Sequence, residues 1–175
     1  MANLVWVDLE MTGLEPEDCV ILEIAVIITD LELNIIAEGP DLIIHVNDDQ
    51  LNNMDEWCTK TFAESGLTEE SRKSKLSLEE AEKQVLEFVK IHCKEKECYL
   101  AGNSIHHDKR FLIRYMSKLV DFLHYRMVDV STIKVLRECW HPNVNPPPKK
   151  LKHRALEDIK ESIEELKFYR TNIFK

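Results

Sequence analysis

A chain of 175 residues is long enough to bury one sizeable core and too short for two ordinary ones, so a single domain spanning 1–175 is expected. With 44% hydrophobic and 31% charged residues but only four glycines and six prolines, the composition excludes collagen-like, disordered and linker-dominated chains, and apolar runs such as Ile24 to Ile28 stop far short of a membrane span. A formal charge of −9 argues against a protein that grips long nucleic acid by neutralising its phosphates.

The run Leu4-Val5-Trp6-Val7 predicts a strand buried on both faces that delivers Asp8 and Glu10 at its C-terminal end. Gly13 then turns the chain. The stretches Val20 to Asp30 and Leu33 to Val46 are rich in Ile, Val and Leu, and their interruptions around Asp30 to Asn34 and at Gly39-Pro40 read as a meander of further strands. From Ser77 the apolar period becomes helical, with Leu78, Ala81, Val85, Phe88, Val89 and His92 on one side, and Ser77 with Glu80 fits a capping box. A strand over Tyr99 to Gly102, a helix near His107 to Leu119, a strand over Met127 to Val130, a helix near Ser131 to Trp140 and a last helix near Arg154 to Tyr169 complete the order. Pro146-Pro147-Pro148 marks a loop. Strands in succession followed by alternation of helix and strand predict an α/β fold with a mixed sheet.

Charge is unevenly spread. Residues 1–65 hold 15 acids and one base, whereas 99–154 hold 11 bases and four acids, so a locally positive stretch sits within an acidic body and suits a small anionic substrate. Five cysteines without a CxxC pair, and no basic and apolar leader ahead of Leu4, predict a reducing, cytoplasmic setting, or a mitochondrial one if a removed leader precedes this chain.

Asp8 and Glu10 lie two apart, so on a strand both carboxylates share a face and can share a cation; a pair of solvated acids at a strand end is the other reading. Asp108 precedes Phe111, Leu112, Tyr115 and Leu119 on an apolar stripe, where it either joins such a site or merely complements a helix dipole. On the last helix Asp158 lies nearer the stripe of Leu156, Ile159, Ile163 and Leu166 than Glu157 does. His153 precedes Asp158 by five, and the two converge only if His153 sits in the loop before the helix.

Four separated motifs then carry a resemblance: Val5-Trp6-Val7-Asp8-Leu9-Glu10-Met11-Thr12-Gly13-Leu14, Ala101-Gly102-Asn103-Ser104-Ile105 with Asp108, His124-Tyr125-Arg126 with Asp129-Val130-Ser131-Thr132, and His153-Arg154-Ala155-Leu156-Glu157-Asp158-Ile159. Together and in this order they resemble the oligoribonuclease family, in the histidine-containing branch of the DEDD superfamily of 3′-to-5′ exonucleases. The resemblance implies a ribonuclease H-like mixed five-stranded sheet flanked by helices. It implies a two-metal-ion exoribonuclease that converts short RNAs, dinucleotides included, to 5′-mononucleotides, with Asp8, Glu10, Asp108 and Asp158 as ligands of two Mg²⁺ or Mn²⁺ ions and His153 as general base. Carried over residue by residue, Leu14 and Trp57 pack on the two bases, and Asn103 and Ser104 lie beside the substrate. Tyr125, Arg126, Ser131 and Thr132 gather near the 5′ phosphate, some of them from the partner subunit of a homodimer. Glu157 stands where the family has Asp, and Phe62 where it more often has His. A superfamily exonuclease that takes longer RNA or DNA, and a non-catalytic nucleic-acid-binding protein that keeps the fold, are the alternatives.

Overall fold

The computed structural model describes residues 2–148 and 153–174; the Lys-rich approach to His153 at 149–152 lies outside the described residues. Five strands, β1 (Leu4–Met11), β2 (Ile21–Thr29), β3 (Ile35–Ile43), β4 (Tyr99–Gly102) and β5 (His124–Asp129), form one sheet in the order β3-β2-β1-β4-β5. The meander β1-β2-β3 is antiparallel, and β4 and β5 continue parallel to β1. This is the mixed, ribonuclease H-like sheet that the resemblance implied.

Strand alternation decides which way the acids face. Val5, Val7 and Leu9 pack with Ile24, Val26 and Ile28 against α4 (Leu78–His92), α5 (Ile105–Tyr115) and α6 (Ser117–Phe122). Leu4 and Trp6 pack on the other side with Ala25, Ile27 and Ala101, against α7 (Val130–Trp140) and α8 (Ala155–Asn172). The indole of Trp6 donates to Thr29 Oγ1 at 2.9 Å, which satisfies the polar edge of the largest buried side chain on that face. By the same alternation Asp8 and Glu10 fall on the side of α8, just past Trp6. Gly102 closes β4 at a tight point, since a Cβ there would lie 3.0 Å from the Val7 carbonyl oxygen and 2.8 Å from Ile105 Cδ1, so that both would have to give way.

Three short helices, α1 (Asp48–Asn52), α2 (Glu56–Ser65) and α3 (Leu67–Lys73), occupy a stretch to which sequence periodicity assigns no element. Each buries only one or two side chains, too few for a readable stripe, and their boundaries are set by caps. Asn47 accepts from the Gln50 N–H, Asp55 accepts from the Cys58 N–H, and Gly66 at φ 82° joins α2 to α3. Together they lay Leu51, Met54, Cys58, Phe62 and Leu67 over Leu22 and Val46.

Several predicted boundaries move, the last helix, for one, running on to Asn172. The helix expected near His107 to Leu119 is two helices, because Met116 leaves helical geometry and Glu82 on α4 accepts the Lys118 N–H at 2.8 Å at the start of α6. The strand expected from Met127 begins at His124, since β5 is an edge strand whose exposed Tyr125 and Arg126 hide it from an apolar pattern.

Candidate active site

Strand β1 outlasts its parallel neighbour. Its pairing with β4 runs from Leu4–Tyr99 to Trp6–Ala101 and goes no further. Beyond that point the first turn of α5 takes over, and Asp108 Oδ1 accepts the Leu9 N–H at 3.0 Å. A carboxylate is thus fixed to the backbone between Asp8 and Glu10. From the other side α8 brings Asp158 in its first turn, with His153 just before the helix at φ 51°. His153 therefore stands outside the helix, as the five-residue spacing requires, and Glu10, His153 and Asp158 each present a ligand atom within 4.8 Å of the other two. Glu157 is exposed whereas Asp158 is half-buried.

The electrostatics of these acids are those of an anion cluster short of counter-charge. Burial, then repulsion from Asp108, Glu10, Asp158 and Glu23, holds the Asp8 carboxyl well above the usual carboxylate range. Burial and the charges of Asp158, Glu23 and Asp108 push Glu10 up to about 8, against the pull of Arg154. Burial lifts Asp108 to about 7 even though the Leu9 N–H favours its charged form. Deprotonated carboxylates this close together need a cation, and carboxylate oxygens with an imidazole beside them can hold a divalent one.

Beside the cluster lies an apolar hollow of about 440 Å³ whose lining includes Glu10, Met11, Leu14, Trp57, Cys58 and Phe62. Leu14 and Trp57 are 63% and 57% exposed, unusual for large apolar side chains that share a concave wall. The Trp57 ring meets His153 edge-on, with centroids 5.2 Å apart at 87°, and packs on the buried Phe62 at 6.3 Å. Phe62 supplies shape here and no polar group.

The other expected substrate residues fall into two groups. Ser104 donates its N–H to Asp129 Oδ1 at 2.9 Å and to Ser131 Oγ at 2.8 Å, and the two serine hydroxyls lie 2.9 Å apart. Ser131 also donates to Asn103 Oδ1 at 3.0 Å, while the Asn103 amide nitrogen donates to Ser162 and Glu165 on α8, so both ends of Asn103 bond within the fold. Tyr125 and Arg126 stand on β5, two positions across the sheet from β1, with the guanidinium 5.4 Å from the tyrosine ring centre; Thr132 is exposed on α7.

Glu23 escaped the sequence reading. It pairs directly with Glu10 across β1 and β2, is wholly buried, and bonds Arg154 and the Ala155 N–H at the head of α8. The available signal was a lone acid inside Ile21-Leu22-Glu23-Ile24-Ala25-Val26-Ile27-Ile28, where a buried charge demands a partner.

A family model described as an exonuclease matches residues 5–166. Over 173 residues the chain is 56% identical to the probable oligoribonuclease of Dictyostelium discoideum, covering 99% of this chain and 91% of that protein. It is 51% identical over 175 residues to the human mitochondrial oligoribonuclease, covering 99% of this chain and 74% of that one. Among solved structures, exonuclease I from Methylocaldum szegediense superposes with a TM-score of 0.75 at 18% identity, over the whole of this chain but only 42% of that one, a likeness of fold. No helix among the described residues is long and apolar enough to cross a membrane.

Proposed function

Since the chain belongs to the oligoribonuclease family of exonucleases, we propose that residues 1–175 act as a single exonuclease domain that hydrolyses short oligoribonucleotides, dinucleotides included, from the 3′ end to 5′-mononucleotides. Membership of this family implies divalent metal use. The observation that supports the assignment of roles is the convergence of Glu10, His153 and Asp158 within 4.8 Å beside two further buried or half-buried acids.

Asp8, Glu10, Asp108 and Asp158 would hold two Mg²⁺ or Mn²⁺ ions. Such a pair, when bound, supplies positive charge to the attacking water and to the departing 3′ oxygen. His153 accepts the proton of that water on the ring nitrogen facing Glu10 and Asp158, a task suited to an imidazole. Leu14 and Trp57 take the two bases, and stacking of this kind tolerates any base because each offers a π-face. Tyr125, Arg126, Ser131 and Thr132 receive the 5′ phosphate, some of them from the partner subunit of the homodimer; Asn103 and Ser104 lie beside the substrate, where Asn103 accepts from Ser131. The guanidinium suits a terminal phosphate because it can give two parallel hydrogen bonds.

The exposed Tyr125, Met127, Val135 and Trp140 on β5 and α7 are the surface through which we pair two copies into a homodimer. We place the protein in the cytoplasm, or in the mitochondrion where a leader directs it, a setting in keeping with its five free thiols. The deciding experiment is hydrolysis of a ladder of RNAs, from dinucleotides to long oligomers, with Mn²⁺ and with EDTA. Fastest turnover of the shortest RNAs, abolished by EDTA, is the expected result. Rates that climb with length would replace this reading by a long-strand exonuclease, and binding without cleavage by a non-catalytic protein.

A further inference from the structure

The chain enters α8 without help from its own cap residue. Arg154 occupies that position in extended geometry and makes no side-chain cap bond. The cap comes instead from the sheet. Glu23 Oε2 accepts the Ala155 N–H at 3.2 Å, while Glu23 Oε1 accepts from both Nε and Nη2 of Arg154 at 3.0 Å. Arg154 also reaches Glu70 on α3 at 3.1 Å, so one guanidinium ties β2, α3 and the head of α8 together. Glu23 is fully buried, and both of its oxygens are engaged here, although it stands directly opposite Glu10 on the same sheet face.

His153 is the residue immediately before this arrangement. It sits in the left-handed region at φ 51°, a conformation uncommon for a non-glycine residue. Among the described residues, the Trp57 ring bounds its side chain and the Glu23–Arg154 pair bounds its backbone on the C-terminal side.

We propose that Glu23 and Arg154 form a positioning clamp that sets where the His153 imidazole stands, and thereby the rate of hydrolysis, without themselves touching substrate or cation. The proposal rests on the reading of His153 as proton acceptor. The clamp fixes the backbone from which His153 projects; Asp158, whose N–H donates to the Arg154 carbonyl at 3.0 Å, is held in addition by the body of α8, and Asp8 and Asp108 are fixed by β1 and α5 independently of it.

The test is turnover of a labelled diribonucleotide by the full chain in Mn²⁺, for Arg154→Ala, Arg154→Lys and Glu23→Gln, each alone and combined with His153→Ala. Melting curves and Mn²⁺ titrations accompany every variant. Arg154→Ala is expected to lower kcat by about 10- to 100-fold, the usual cost of losing a group that orients a functional side chain, with little change in KM or Mn²⁺ affinity. Arg154→Lys, which keeps the charge and loses the fork, should fall between it and the unaltered chain. In the His153→Ala background the same substitutions should cost almost nothing further, since groups acting through one side chain are non-additive. Equal losses in both backgrounds would overturn the clamp, and so would a tenfold or larger drop in Mn²⁺ affinity for Glu23→Gln, which would show that Glu23 acts on the cation site and not through His153. If Arg154→Ala does not fold, Arg154→Lys and Glu23→Gln complete the same cycle. An unaltered chain that fails to cleave the diribonucleotide would refute the functional reading itself, an outcome distinct from additive losses in an active enzyme.

Discussion

Asp108 does two things that a single substitution separates. Its Oδ1 completes the hydrogen bonding of β1 at Leu9, and its charge belongs to the acid cluster. An asparagine keeps an oxygen at that place and removes the charge that burial penalises. Asp108→Asn is therefore expected to melt at or above the temperature of the unaltered protein at pH 8 in EDTA, yet to lose about 10²–10³-fold in turnover, the scale on which a charged group matched to a transition state is missed. Asp108→Ala should instead lose about 1–3 kcal/mol of stability, because the Leu9 N–H is left buried and unpaired. Thermal melts and diribonucleotide assays on the two variants distinguish the roles; an inactive Asp108→Asn that is also as unstable as Asp108→Ala would mean that the charge itself holds β1. His153→Ala, by contrast, should cost about 10²–10⁴-fold in rate with Mn²⁺ affinity largely kept, and a calorimetric loss of Mn²⁺ binding would make it a ligand instead.

At the scale of elements, α8 is held to the sheet by apolar packing through Ile159, Ile163 and Tyr169 and by a polar seam. Asn103, after β4, donates to Ser162 Oγ at 3.0 Å and Glu165 Oε2 at 2.9 Å, and Tyr169 donates to Glu165 Oε1 at 2.7 Å. Such a seam is worth most when complete. Asn103→Leu should lower unfolding stability by about 1–3 kcal/mol in a denaturant titration, since Glu165 and Ser131 each lose a partner. A variant as stable as the parent would show that the seam is not what docks α8. How much of this could be read from the chain follows from the range of each interaction. The acid pair on β1 and the position of Asp158 beside the α8 stripe are local periodicities, and the strand and helix around them obey those periods. The bond from Leu9 to Asp108 spans 99 residues and that from Ala155 to Glu23 spans 132, and no local pattern encodes a register of that length. Helices α1 to α3 were illegible for a different reason: they are fixed by single caps and a left-handed glycine, each a one-residue signal without a stripe to support it.

For the molecule as a whole, the acid cluster makes folding and cation binding answer to pH in opposite senses. Asp108 and Glu10 titrate near 7 and 8 when folded, against ordinary values of 3.8 and 4.5. Between these limits the native chain holds protons that the unfolded chain has released, so unfolding free energy falls as pH rises. The contribution is whole below about pH 4 and is lost as pH passes through about 7 and 8, at up to about 1.4 kcal/mol per pH unit for each carboxyl kept protonated. In EDTA the melting temperature should therefore decline between pH 5 and pH 8. Divalent ions bind the deprotonated carboxylates and not the unfolded chain, and at a hundredfold excess over Kd such a ligand adds about 2.7 kcal/mol. Because that site forms only as the protons leave, Mn²⁺ should do little at pH 5 and raise the melting temperature most near pH 8, so that the two curves diverge with pH. Melts across this range in EDTA and in Mn²⁺ measure both slopes. Parallel curves would mean that the cation sits elsewhere, and an EDTA curve that rises with pH would mean that these carboxyls are not packed against one another in the folded chain.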